Sequence, residues 1–96
     1  MIRTFADTGT EDVFNGVDSR FARRFPRAIW KVVHRKLDLL NAASALVDLR
    51  APPGNRLEAL KGDLVGRYSM RVNDQYRITF RFSAGDAYEV ICEDYH

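Results

Sequence analysis

Eight side chains in the second half of this 96-residue chain are of the types that RNA cleavage needs. They are a carboxylate at Glu58, cations at Arg56, Lys61, Arg77 and Arg81, and the closing trio Asp94, Tyr95 and His96. Cleavage of RNA by its own 2′-hydroxyl requires a base for that proton, cations for the charge that builds on the phosphorane, and an acid for the departing 5′-oxygen. No metal is required. Residue type alone does not select this chemistry, because acids, bases and cations occur on most protein surfaces. Other chemistries lack their motifs: the chain has no Gly-rich phosphate loop, no G-x-S-x-G, no H-E-x-x-H and no zinc-ligand spacing. The single cysteine, Cys92, alternates away from Glu93 in a presumed strand and is read as core, so covalent catalysis is disfavoured and no cofactor is expected.

The elements that must gather these residues follow from periodicity. Ile2 to Phe5 alternates as a short edge strand, and Asp7-Thr8-Gly9-Thr10 breaks it with turn residues. Thr10 is expected to cap a short helix over Glu11 to Asn15, closed by Gly16. Pro26 suits the first turn of a longer helix, in which Ile29, Val33, Leu37, Leu40 and Ser44 or Val47 form one apolar stripe for packing on a sheet. His34 is read as an exposed helix residue, and Pro52-Pro53-Gly54 ends helix formation. Beyond it the period falls to two. Tyr68, Met70 and Val72 alternate with Arg67, Ser69 and Arg71, and after Asn73-Asp74 the residues Tyr76, Ile78, Phe80 and Phe82 alternate with Arg77, Thr79 and Arg81. Ser83-Ala84-Gly85-Asp86 turns the chain into a last run, Ala87 to Glu93, completing a meander. Val90, Ile91 and Cys92 make the tail the end of a buried strand that delivers His96 rather than a fraying terminus. The expected fold is therefore α+β, a single domain over 1–96 with an N-terminal strand and helices packed on a C-terminal antiparallel sheet.

Alternation also sorts the charge. If the aromatic rows face the helices, Arg67, Arg71, Arg77 and Arg81 share the opposite face, where arginines set across from one another repel unless something anionic lies between them. A second cationic region lies in the first half. No acid falls between Asp18 and Asp38, while Arg20, Arg23, Arg24, Arg27, Lys31, Arg35 and Lys36 do, which reads either as a solvated helix face or as a surface for a phosphate-rich or acidic partner. Of the 15 cationic residues only three are lysine, a preference suited to bidentate phosphate contacts. No signal peptide or membrane-length apolar run appears, so a cytoplasmic protein without membrane contact is expected.

Three stretches carry a resemblance: Pro53 to Gly62 (PGNRLEALKG), Tyr68 to Phe80 (YSMRVNDQYRITF), and Gly85 to Tyr88 together with the closing Asp94-Tyr95-His96. They are similar to the HigB branch of the RelE/ParE toxin superfamily, whose fold is that of small microbial ribonucleases. The likeness covers nearly the whole chain and is looser through the basic helices. It implies the toxin of a type II toxin-antitoxin pair, a metal-independent endoribonuclease that cuts messenger RNA in the decoding site of the small ribosomal subunit. It also implies neutralisation by a HigA-like helix-turn-helix antitoxin. On the matching positions, Asp94, Tyr95 and His96 correspond to the catalytic tail, Lys61 to a basic residue near the phosphate, and Arg77 to the arginine that stabilises the transition state. Some members of the branch carry histidine where this chain has Glu58.

The resulting expectation makes Glu58 or His96 the base, His96 the acid and Tyr95 a positioning or stacking group. Glutamate ordinarily ionises well below neutral pH, which suits a base better than an acid. Arg77 and Lys61 would bind the scissile phosphate, with Asp94 orienting a neighbour. Arg56, Lys61, Arg67, Arg71 and Arg81 on the sheet side, and Arg23, Arg24, Arg27 and Lys31 on the helices, are the candidate RNA contacts. Two alternatives share the composition: a toxin of the same fold that inhibits gyrase or ribosome assembly by binding alone, and a plain RNA-binding module.

Overall fold

The computed structural model describes residues 1–95, so His96 lies outside the described residues. Two helices, α1 (Thr8–Asn15) and α2 (Arg27–Ala42), lie on one face of a four-stranded sheet. Its strands are β1 (Glu58–Ala59), β2 (Arg67–Arg71), β3 (Tyr76–Ser83) and β4 (Asp86–Asp94), antiparallel in the order β1-β2-β3-β4. The N-terminal segment pairs through isolated parallel bridges, Ile2 with Ala87 and Phe5 with Val90, on the open side of β4. The α+β layering read from the sequence is therefore the layering observed. None of the described helices is long and apolar enough to cross a membrane.

The core is the apolar stripe of α2 set on the inner face of the sheet. Val33, Leu37 and Leu40 meet Met70, Ile78, Phe80, Val90 and Cys92, all without solvent exposure, and Phe25 and Leu49 close its ends. A bulge keeps this face continuous. Thr79 pairs with Ile91 but Arg81 pairs with Tyr88, so two residues of β3 span three of β4. The extra residue, Glu89, takes φ 53°, and the phase change lets both Ala87 and Val90 point inward while Glu89 stays outside.

Helix boundaries depart from the sequence reading in two places. The cap of α1 is Asp7, whose carboxylate accepts from the Thr10 amide at 3.0 Å. Thr10 is instead fully buried, and its hydroxyl accepts from the Cys92 amide at 3.0 Å, fixing α1 to β4. Gly9 lies inside the helix rather than in a turn before it, and it is glycine because a Cβ there would meet the Phe21 carbonyl oxygen at 2.6 Å. The stripe of α2 ends at Leu40. Asp48 accepts from the amides of Ser44 and Ala45 at 3.0 and 3.1 Å, starting a separate turn over Leu46–Leu49, and this leaves Ser44 and Val47 exposed.

Candidate active site

Register assembles the outer face of the sheet. Glu58 sits across from Ser69, Ser69 from Thr79, Arg71 from Arg77, and Arg67 from Arg81. At the β1 side this face opens into a cleft of about 430 Å³ lined by Arg56, Glu58, Ser69, Arg71, Asp74, Arg77 and Tyr95. Its size falls in the range of small-ligand sites, about 300–1,000 Å³. Two hydroxyls form part of the floor between the arginine rows: Ser69 and Thr79 are 6% and 2% exposed although they lie on the outer side.

The anions that hold the arginines apart come from the chain itself. Glu93 places Oε1 3.5 Å from Arg77 Nε and 3.4 Å from the Thr79 hydroxyl. The Glu89 carboxylate forms an ion pair with Arg81 Nε at 2.5 Å and lies 3.6 Å from Arg67, which also donates to the Glu89 carbonyl at 3.0 Å and to Thr79 Oγ1 at 3.2 Å. Asp74 pairs with Arg71. Arg77 is the least satisfied of the row. Its Nε is buried and makes no hydrogen bond of good geometry, the Glu93 contact being an ion pair only, and its guanidinium lies 5.4 Å from the centre of the Tyr95 ring. A half-buried guanidinium with unused donor capacity beside an open cleft is suited to an incoming phosphate oxygen.

Tyr95 is held at the cleft rim by the hairpin between β2 and β3. Its amide donates to the Gln75 carbonyl at 3.1 Å and its hydroxyl to the Asn73 carbonyl at 3.2 Å. Asp94 is in register with Tyr76, on the inner-face phase, and accepts from Gln75 Nε2 at 2.8 Å, so it supports this hairpin and is not among the cleft-lining residues.

Of the residues singled out from the sequence, the structure thus gathers Arg56, Glu58, Arg71, Arg77 and Tyr95 in one cleft. Arg67 and Arg81 occupy the far end of the same face, tied to Glu89. Lys61 is exposed on the loop after β1 and does not line the cleft. Arg23, Arg24, Arg27 and Lys31 stay on the helical layer. Asp18 pairs with Arg23 and Arg27, Asp7 pairs with Arg24, and Arg24 and Arg27 stack over Phe25 and Trp30. Lys36, counted with that basic run, is in fact 6% exposed, because α2 turns it under the loop at Asn55. Burial together with the Arg35 and Arg71 charges holds its ammonium below the usual lysine range. The sequence reading missed Ser69, Asp74, Glu89 and Glu93 as members of this face. Alternation with Arg67 and Arg71 could have found Ser69, and alternation along the last strand could have found Glu89 and Glu93 together, whereas Asp74 lies in the turn after β2. Burial pushes the Cys92 thiol up to about 12, consistent with a core role. Among the described residues no cluster of His, Cys, Asp and Glu has the arrangement to hold a metal ion.

The chain matches, over residues 3–96, the family described as the RelE-like toxin of the type II toxin-antitoxin system HigB. It is 44% identical to Toxin HigB-1 of Vibrio cholerae over 87 residues, covering 91% of this chain and 90% of that protein. It is 34% identical to Endoribonuclease HigB of Proteus vulgaris over the full length of both. Among solved structures, the fold superposes with a TM-score of 0.63 on the YoeB-YefM complex from Staphylococcus aureus, at 16% identity over 100% of this chain and 98% of that one. The YoeB/ParE toxin from Agrobacterium tumefaciens gives 0.56 at 21% identity, over 98% and 99%. At such identities these two likenesses speak for the fold.

Proposed function

The chain belongs to the HigB-like family of RelE-like type II toxins, and we propose that it inhibits translation by cutting messenger RNA on the ribosome at the Arg77 cleft. The observation that supports this reading is the under-bonded, half-buried Arg77 guanidinium in a cleft that Glu58 and Tyr95 also line. Its full-length relative named an endoribonuclease supports the same chemistry.

The sequence of events follows from these parts. Glu58, exposed on β1, or His96 takes the proton of the 2′-hydroxyl, which attacks the adjacent phosphorus. Arg77 donates to the phosphorane oxygens, with Arg56 and Arg71 holding the same phosphate and Lys61 approaching from its loop. His96 protonates the departing 5′-oxygen, leaving a 2′,3′-cyclic phosphate and a 5′-hydroxyl. Tyr95 stacks on a base next to the scissile bond, and Asp94 fixes the hairpin that carries Tyr95. Arg67 and Arg81 contact flanking phosphates, exchanging Glu89 for RNA. The work is assigned to the cytoplasm, where ribosomes translate, and an antitoxin is the neutralising partner, as befits a type II toxin.

End analysis of messenger RNA in a translation extract tests the reading. The wild-type chain should yield 2′,3′-cyclic ends, and Glu58→Gln and His96→Ala should each lower the cleavage rate by about two to four orders of magnitude if that residue transfers a proton. Growth inhibition that survives joint replacement of Glu58, Arg77, Tyr95 and His96 would select inhibition by binding instead.

A further inference from the structure

A lysine of α2 that touches neither the cleft nor solvent is joined to the segment that supplies one wall of the cleft. Lys36 Nζ donates to Asn55 Oδ1, and among the described residues no carboxylate pairs with it. Asn55 is fully buried, and its Nδ2 donates to the carbonyls of Leu49 and Ala51 at 3.1 and 3.3 Å. Every polar atom of the Asn55 side chain is therefore engaged, which fixes the residue between α2 and the turn before β1. The next residue, Arg56, takes the left-handed φ of 43°, and Arg56 and Glu58 both line the cleft. This wall has little regular structure of its own, since β1 is two residues long.

Burying an ammonium against a neutral amide is costly, and an apolar side chain would fill the same space more cheaply. The charge therefore has a use other than packing. We propose that the Lys36–Asn55 bond is a positioning device that sets Arg56 and Glu58 against the scissile phosphate, making Lys36 a positioning residue for the cleavage reaction. The inference rests on the cleavage reading given above. Sub-ångström placement matters in such a site, because a shift of about 1 Å caused by a distant substitution can cost on the order of a hundredfold in rate.

The test is a double-mutant cycle on ribosome-bound messenger RNA, read as single-turnover rate and half-saturating ribosome concentration. Lys36→Met should slow cleavage about tenfold to a hundredfold with half-saturation changed less than about twofold. In an Arg56→Ala/Glu58→Gln background the same change should cost less than about twofold, since nothing is left to position. Asn55→Ser removes the bond from its other end and should reproduce both results should Lys36→Met not fold. Equal losses in the two backgrounds, a folded Lys36→Met that cleaves as wild type, or failure of both variants to fold would each overturn the proposal. So would wild-type cleavage by Arg56→Ala/Glu58→Gln. Arg77→Ala judges the cleavage reading separately: if it too cuts normally, the site is wrong, whereas its loss beside a silent Lys36→Met rejects the positioning role alone.

Discussion

Two cationic regions of this chain, the outer sheet face and the helical layer, have similar composition and different construction. On the helical layer the arginines follow one another in sequence, and those that pair do so with acids that precede the run: Arg23 and Arg27 with Asp18, Arg24 with Asp7 at the start of α1. The groove beside them, bounded by Val13, Trp30 and His34, is largely apolar. On the sheet the arginines are brought together by strand register, Arg71 against Arg77 and Arg67 against Arg81, over buried hydroxyls. Arg81 makes a close, half-exposed ion pair with Glu89, whereas Arg77 keeps a buried Nε without a hydrogen bond. On the reading proposed above, a charge left with spare donors at a concave place marks the phosphate site, and density of charge along the sequence does not.

That contrast can be broken or sharpened by substitution. The largest effect is expected at Arg77: replacement by alanine should lower cleavage on the ribosome by about a hundredfold to a thousandfold, as removal of a transition-state donor does, and leave Glu93 without its ion-pair partner. Arg77→Lys should recover only part, since a point charge cannot reproduce the two-pronged contact. Next, Arg67→Ala with Arg81→Ala should weaken RNA affinity and flatten its salt dependence by about 0.7 in log–log slope for each single-strand phosphate that is no longer neutralised, with the saturated rate little altered. On the helical layer, Arg23→Ala with Arg27→Ala should leave cleavage within about twofold, as exposed ion pairs contribute little. The smallest effect concerns Asp18. The hydrogen bond from Arg23 holds its carboxyl below the ordinary range, so its contribution to stability is present above about pH 4 and is lost as the pH falls through the lowered value. Comparing wild type with Asp18→Asn by thermal unfolding across acid pH should show a small difference that salt removes.

The sequence shows its fold where period and burial coincide. The aromatic row of β3 and the Ile29–Leu40 stripe of α2 each mark one face, and the arginine face follows as the complement of the first. It shows less where the backbone changes phase or direction. Strict alternation back from Glu93 would set Glu89 across from Arg81 and Ala87 on the outer face, whereas the bulge sets Tyr88 across from Arg81 and turns Ala87 inward. Thr10 has the composition of a cap but lies one turn inside the helix, because Asp7 is positioned to take the cap and the Thr10 hydroxyl is needed by the Cys92 amide. Lys36 reads as surface charge until its reach to Asn55 is known, and that reach depends on how the Pro52-Pro53 segment folds back on α2. Within the candidate site, Glu58, Arg71 and Arg77 were legible as residue types on strands and Tyr95 as part of the tail that follows the last one. Their gathering on the sheet was expected, but the pairing that brings Glu58 there was not, since it is a two-residue strand at the edge of β2.

The central claim is that the sheet face and not the helical layer cuts RNA, and primer-extension mapping of messenger RNA in a reconstituted translation reaction tests it most directly. Arg77→Ala and the triple variant Arg23→Ala/Arg27→Ala/Lys31→Ala should be compared at equal concentration, with folding of each checked by thermal unfolding. Cuts at wild-type positions and near wild-type rate with the triple variant, together with their disappearance in Arg77→Ala, are the predicted result. Undiminished cutting by folded Arg77→Ala, or its loss in the folded triple variant alone, would contradict it.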